Sequence, residues 1–262
     1  MAAHFQDYLL HLADNAVILG QRNAQWCGHG PVIEEDLALA NNSLDLIGQA
    51  RLLYQHVATV RKDGKTSEDL LAYFRDVPEF RNYTLLELPH STALTPTSSG
   101  DRDYAVTIGR NFLYSALMVL VWDALKGSAD AQLAAIASKS LKETQYHLRH
   151  SRDWLVRLGD GTDESHAKMQ AAINHLMPYT QEFFAPSAME TAVVKSGLGV
   201  DTRALQASWN QLVDEALAEA TLSRPSAGGY VTTGKNGVHS EHLGFVLAEM
   251  QSLARAHPEA VW

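Results

Sequence analysis

Asp45 and Glu143 each open a four-residue run, Asp45-Leu46-Ile47-Gly48 and Glu143-Thr144-Gln145-Tyr146, with the spacing of a carboxylate metal site but without its histidines. A pair of metal ions between helices takes one Glu or Asp from each of two helices and a Glu-x-x-His from each of the other two. Residues three apart share a helix face, carboxylates bridge and neutralise the cations, and imidazoles complete the coordination. Here Gly48 and Tyr146 stand where the histidines belong. The stretches that would face them offer Asp14 or Asn15 in one case and Asn111 to Tyr114, with no carboxylate, in the other. The pattern is that of a degenerate site at Asp45, Gly48, Glu143 and Tyr146, with no metal, cofactor or catalytic residue assigned to this chain.

Glu143, His147, His150 and Trp154 continue a helical stripe that contains Leu133 and Ile136. Glu143 and His147 could share a metal, yet one helix supplies too few ligands, and carboxylate-bonded histidines are common in large helical cores. An interior polar network of Asp14, Asp45, Glu143, His147 and His150, or a protein interface, explains the stripe better. Interior acids without a metal call for protonation or a basic partner such as Arg51 or Arg149. Each arginine follows its acid by six positions, which is not a same-face spacing.

Other candidates read as structure. His239-Ser240-Glu241-His242 lacks the order of a zinc protease motif, and Ser240 suits a helix N-cap. Gly159-Asp160-Gly161-Thr162 is explained by a helix stop and a capped restart. Cys27, near Trp26 and His29, has no third orienting group and is expected to be a packed turn residue. The mixed run from Arg149 to Asp153 is a solvated or partner-facing edge.

The elements that must position these residues are helices. Leu9, Leu12, Ala13, Ala16 and Leu19 predict a helix over residues 4–26, stopped by Gly28-His29-Gly30-Pro31. The next begins with Glu34, Glu35 and Asp36 in its first turn, where the helix dipole favours negative charge, and runs to Arg61 before Asp63-Gly64. Thr66 or Ser67 caps a short helix carrying Leu70, Leu71, Tyr73 and Phe74, and Pro89 to Gly100 reads as a surface excursion too short for a domain linker. Long helices follow over 101–126 and 130–158, then shorter ones over 162–177, 202–222 and 240–256, with Pro178 and Pro186 as punctuation. Two pairs of long helices on short turns imply antiparallel pairing, hence an all-α bundle of four long helices with additional C-terminal helices in one domain spanning 1–262.

Composition sets outer limits. The chain has 262 residues, 46% of them hydrophobic, which is ample for a core. A formal charge of −9 argues against nucleic acid and anionic membrane surfaces and leaves proteins as the better class of partner. Cys27 is the single cysteine, so no internal disulfide can form, and the start MAAHFQDYLL lacks signal-peptide features, pointing to the cytoplasm. The apolar run from Leu113 to Leu125 is interrupted by polar residues and reads as a core helix rather than a membrane span.

Several motifs carry a resemblance. They are Gly20-Gln21-Arg22, Trp26-Cys27-Gly28-His29-Gly30-Pro31, Glu34-Glu35-Asp36-Leu37-Ala38-Leu39-Ala40-Asn41 and Leu44-Asp45-Leu46-Ile47-Gly48-Gln49-Ala50-Arg51. Phe80-Arg81-Asn82, Lys142-Glu143, Tyr146-His147-Leu148-Arg149, Arg157-Leu158-Gly159-Asp160-Gly161-Thr162, Gly237-Val238-His239-Ser240-Glu241-His242-Leu243-Gly244 and Ala248-Glu249-Met250-Gln251 extend it. From about residue 13 to Trp262 the chain resembles the structural C subunits of bacterial ring-1,2-phenylacetyl-CoA epoxidases. It departs from their pattern at Pro89-His90-Ser91, where Pro-Asn-Gly is usual, which puts a surface loop in doubt.

The resemblance implies a ferritin-like fold and a role in aerobic phenylacetate catabolism. It also implies a homologous catalytic A subunit holding the di-iron centre, a small B subunit, and a reductase with FAD and an iron–sulfur cluster that draws on NADPH. The chain is then a non-catalytic scaffold component of a monooxygenase. The residues leave two alternatives open: an oxygenase with an atypical ligand set on Asp45, Glu143 and His147, and a self-associating acyl-CoA-binding protein.

Overall fold

Helices account for nearly all regular structure in the computed structural model, which describes residues 2–94, 102–226 and 228–260. In chain order they are α1 (Ala2–Ala24), α2 (Ile33–Arg61), α3 (Glu68–Tyr73), α4 (Thr84–Glu87), α5 (Tyr104–Leu125), α6 (Ala131–Gly159), α7 (Asp163–Leu176), α8 (Gln181–Phe184), α9 (Ala188–Lys195), α10 (Thr202–Glu219) and α11 (Glu241–Ala256). Among the described residues the only β feature is an isolated bridge between Thr233 and Val238. The class is therefore all-α and ferritin-like, as expected. By internal contacts the chain divides into two compact units, Met1–Leu88 with Thr233–Trp262, and Pro89–Thr232. The boundary falls at the head of the Ser/Thr/Pro-rich stretch, whose residues 95–100 lie outside those described.

The first unit is built on α1 and α2. Leu9, Leu12, Ala13, Ala16 and Leu19, the stripe legible in the sequence, are all buried. The pair is antiparallel: Asp14 meets Tyr54 near one end, and Gly20 lies against Leu46 and Ile47 nearer the turn. In that turn the Gly30 N–H donates to the Asp36 carboxylate at 3.0 Å, and a Cβ on Gly30 would come within 2.6 Å of the Asp36 amide nitrogen. Only glycine permits that approach. Cys27 is exposed in this turn, not packed, because Trp26 takes the buried position beside it. Ser67, not Thr66, caps α3 by accepting from the Leu70 N–H. From the far end of the sequence, α11 packs on α1, α3 and α4.

The second unit is built on α5 and α6, also antiparallel, with Tyr104 edge-on to Trp154 at their far ends. The 22 residues of α5 have the length and composition of a membrane span, at a mean hydropathy of 1.4. Yet 89% of the apolar window is buried, so α5 is the core helix of this unit. α7 and α10 pack against it. The Trp209 indole N–H donates to the Leu113 carbonyl at 3.1 Å, and Phe183 and Phe184 contact the same ring. Asp130 caps α6, and Thr162 and Ser187 form capping boxes with Ser165 and Glu190.

Three helices had no sequence counterpart: α4, α8 and α9, as did the 3₁₀ turns at Val77–Glu79, Met177–Thr180 and Gly234–Asn236. Each is too short for a 3.6-residue period to show; proline in the first turn marks Val77–Glu79 and Met177–Thr180, and a capping box marks α9.

Candidate functional site

The polar face of α1 carries a heavily bonded centre of the first unit. Asp14 is fully buried, and its carboxylate accepts from the Tyr54 hydroxyl at 2.6 Å, from the Arg81 N–H at 2.8 Å and from both terminal nitrogens of Arg75. The guanidinium of Arg75 also donates to the carbonyls of Leu71 and Glu79 and lies 4.2 Å from the centroid of the Phe80 ring. Burial opposes the charge on Arg75, but Asp14, helped by Tyr54 and Glu79, more than offsets it and holds the guanidinium above its ordinary range. Burial and the neighbouring Asp14 likewise push the Tyr54 phenol well up, so it remains a neutral donor.

The same face bonds a length of irregular backbone. His11 donates to the Arg81 carbonyl at 2.6 Å, the Asn15 side-chain oxygen accepts from the Tyr83 N–H at 2.8 Å, and Arg22 donates to the Glu87 carbonyl. Buried backbone groups left open by helix bonding must find partners, and side chains of α1 supply them at Arg81, Tyr83 and Glu87. Arg22 is itself buried, which lowers its pKa to about 10 despite the opposing influence of Glu249 and Glu87.

A second buried centre joins α4 to the start of α11. Glu87 accepts from the Asn82 amide at 2.9 Å, from the Ser240 N–H at 2.6 Å and from His239 Nδ1 at 2.8 Å. Ser240 does occupy the N-cap position of α11, but it makes no side-chain cap; its N–H is bound by Glu87 instead. The His239 and His242 pair is thus divided between an ion pair and the buried face of α11.

The degenerate positions fare differently. Asp45 and Gly48 are partly buried on α2, and a Cβ on Gly48 would meet nothing within 4 Å. Glu143, expected in the interior, is only partly buried and is joined by Lys139, one turn earlier, at 2.7 Å. Tyr146 is 44% exposed, stacks on His150 with centroids 6.4 Å apart and meets His147 edge-on. His147 is buried and His150 partly so. Arg51 pairs with Glu68, and Arg149 lies over the Tyr146 ring. Of the five residues expected in one polar network, Asp14 and Asp45 belong to the first unit and Glu143, His147 and His150 to the second. Among the described residues no group of three or more His, Cys, Asp or Glu side chains is arranged to hold a metal ion. With a glycine and an outward-facing tyrosine at the two histidine positions, the donor set does not fit a di-iron pair.

Sequence reasoning missed Arg75, Tyr54 and Glu87 and weighed His239 only as part of a metal motif; the partners of these residues lie far along the chain. It also misjudged His90, in the loop thought superficial. His90 is buried, within 2.7 Å of the Thr107 hydroxyl, and accepts from Arg110 through Nδ1.

On α2 the outward face is apolar. Ile33, Leu37, Leu44 and Ile47 are 68%, 56%, 66% and 43% exposed, and together with partly buried Ala40 they run at alternating four- and three-residue steps. That is the seam spacing of a helix that packs on another helix. Isolated exposed leucines are ordinary, but a continuous stripe of this kind marks an interaction surface.

Two comparisons bear on this chain. The family described as "Phenylacetic acid catabolic protein" matches residues 2–262. The C subunit of the 1,2-phenylacetyl-CoA epoxidase of Escherichia coli (strain K12) is 45% identical over 255 residues, covering 97% of this chain and 98% of that protein. With its all-α fold and end-to-end match, the chain belongs to the phenylacetic acid catabolic protein family.

Proposed function

We propose that this chain is the non-catalytic scaffold subunit of a cytoplasmic multicomponent phenylacetyl-CoA epoxidase in phenylacetate catabolism. It supports a homologous catalytic subunit that holds the di-iron centre. A further small subunit joins the two, and a reductase with FAD and an iron–sulfur cluster delivers electrons from NADPH. The E. coli relative is one lettered component of such an epoxidase, which supports membership in an assembly of this kind. The observation that carries the scaffold role is the α2 helix itself: its run Asp45 to Gly48 lacks a histidine, while its outer face keeps the exposed stripe Ile33, Leu37, Leu44 and Ile47. A helix that no longer supplies ligands but exposes an apolar seam is suited to bury that seam against a helix of a partner.

The test is co-purification with the homologous catalytic subunit, followed by gel filtration and metal analysis of each chain alone. The expected result is a stable mixed complex, with iron and oxygen activation following the partner. Stoichiometric iron and oxygen activation by this chain alone would overturn the reading. So would a self-associated species indifferent to the catalytic subunit.

A further inference from the structure

We propose that His239 and Glu87 form a protonation-dependent latch that holds the segment from Thr233 through α11 on the segment from Arg75 to Leu88. Both side chains are fully out of solvent. His239 Nδ1 lies 2.8 Å from a Glu87 carboxylate oxygen, and Nε2 lies 3.0 Å from the Phe80 carbonyl. Both partners are acceptors. A neutral imidazole has one N–H and would turn a lone pair on one of them, whereas the imidazolium satisfies both.

The proton also matters to Glu87. Without it the carboxylate would retain only the neutral donors Asn82 and the Ser240 N–H in a buried place, an arrangement far less favourable than a charge-assisted pair. The two segments are otherwise shaped to lie in direct contact. A Cβ on Gly234 would come within 2.5 Å of the Asn82 carbonyl, and one on Gly237 within 2.5 Å of the Pro78 carbonyl. The Ser240 hydroxyl has no hydrogen-bond partner, so the start of α11 depends on Glu87.

Of the charged groups around the pair, Asp14 on α1 acts on His239, while Arg22 on α1 and His242 on α11 feel Glu87; Arg81 donates to the same Phe80 carbonyl that His239 reaches, Lys235 in the 3₁₀ turn lies over the Tyr83 ring, and Glu241 acts on His242. Burial alone would lower the His239 pKa, but Glu87, the Phe80 carbonyl and Asp14 more than offset it and leave it raised. His242 is lowered, by burial first and then by Arg22, so it does not compete for the proton. The sign follows from linkage. A histidine raised in the folded state contributes its full stabilisation below the ordinary value of 6.5 and loses it as pH climbs through the raised value.

The experiment is ¹⁵N-resolved NMR of the histidine rings in the full chain, with His239→Gln identifying the signal, beside amide hydrogen exchange corrected for intrinsic rates. The titration midpoint of His239 is expected above the ordinary value of 6.5, with both ring nitrogens protonated below it. Protection in residues 237–256 should fall by about tenfold for each unit by which the titration midpoint exceeds the ordinary value, over the same pH range. In His239→Gln the protection should be low and flat with pH. If that variant does not fold, Glu87→Gln must bring the His239 midpoint down. A midpoint at or below the ordinary value of 6.5, a pH-dependence that survives His239→Gln, or a midpoint unmoved by Glu87→Gln each overturns the latch.

Discussion

Asp14 on α1 is clamped by Arg75, 61 positions later, through both terminal nitrogens of the guanidinium, and both side chains are buried. A carboxylate at the depth of a metal ligand is here neutralised by the protein's own cation, with Tyr54 and the Arg81 N–H completing its hydrogen bonds. The arrangement fixes the segment after α3 against α1.

Removing one member of that pair leaves the other charge buried. Asp14→Ala is expected to cost about 3–5 kcal/mol in urea unfolding. Asp14→Asn, which keeps the shape and part of the hydrogen bonding, should cost less. Added iron should restore neither variant, and a rise in their stability with iron would count against a structural role.

Phenols give a pH-dependence of definite sign. Burial raises the pKa of Tyr114, and burial together with Asp14 raises that of Tyr54, so both stay protonated in the folded chain above the ordinary value of 10. The unfolded chain releases those protons near its ordinary value, so stability should fall as pH rises past it. Ultraviolet titration should show Tyr54→Phe and wild type with equal phenolate absorbance while folded. They should separate only on alkaline unfolding.

Two glycines should respond oppositely to alanine. Gly237 has a φ of 84°, and its added Cβ would lie 2.5 Å from the Pro78 carbonyl, so Gly237→Ala should destabilise by more than about 1 kcal/mol. Gly48 sits inside α2 with open space at its Cβ, and Gly48→Ala should stabilise by about 0.5–1 kcal/mol. Thermal or urea unfolding of the single chain distinguishes the signs.

Leu37→Asp and Leu44→Asp alter exposed positions on α2. Each should change the stability of the isolated chain by no more than about 0.5 kcal/mol. The double variant should lose the mixed complex on gel filtration with the catalytic subunit. A complex that forms undiminished would move the interface elsewhere on this chain.

What the sequence settled was local. The stripe from Leu9 to Leu19, the acids opening α2, Ser67, Thr162 and the glycines between helices placed the long helices within a few residues, because periodicity and capping act over one or two turns. The glycine and tyrosine in place of histidines were equally plain, since a ligand motif is a matter of residue identity at fixed spacing.

What only the tertiary structure decided was which polar groups meet. Asp14 finds Arg75 across 61 positions, and Glu87 finds His239 across 152. Charge balance between buried groups is a property of packing, and no spacing within a helix announces it. The same holds for exposure: Glu143 pairs with Lys139 at a partly open position, Tyr146 faces outward, and His90 is buried in a stretch whose composition suggested surface. Side chains turn inward or outward according to what packs beside them, so the sequence could name the absent ligands but not the pairs that replaced them.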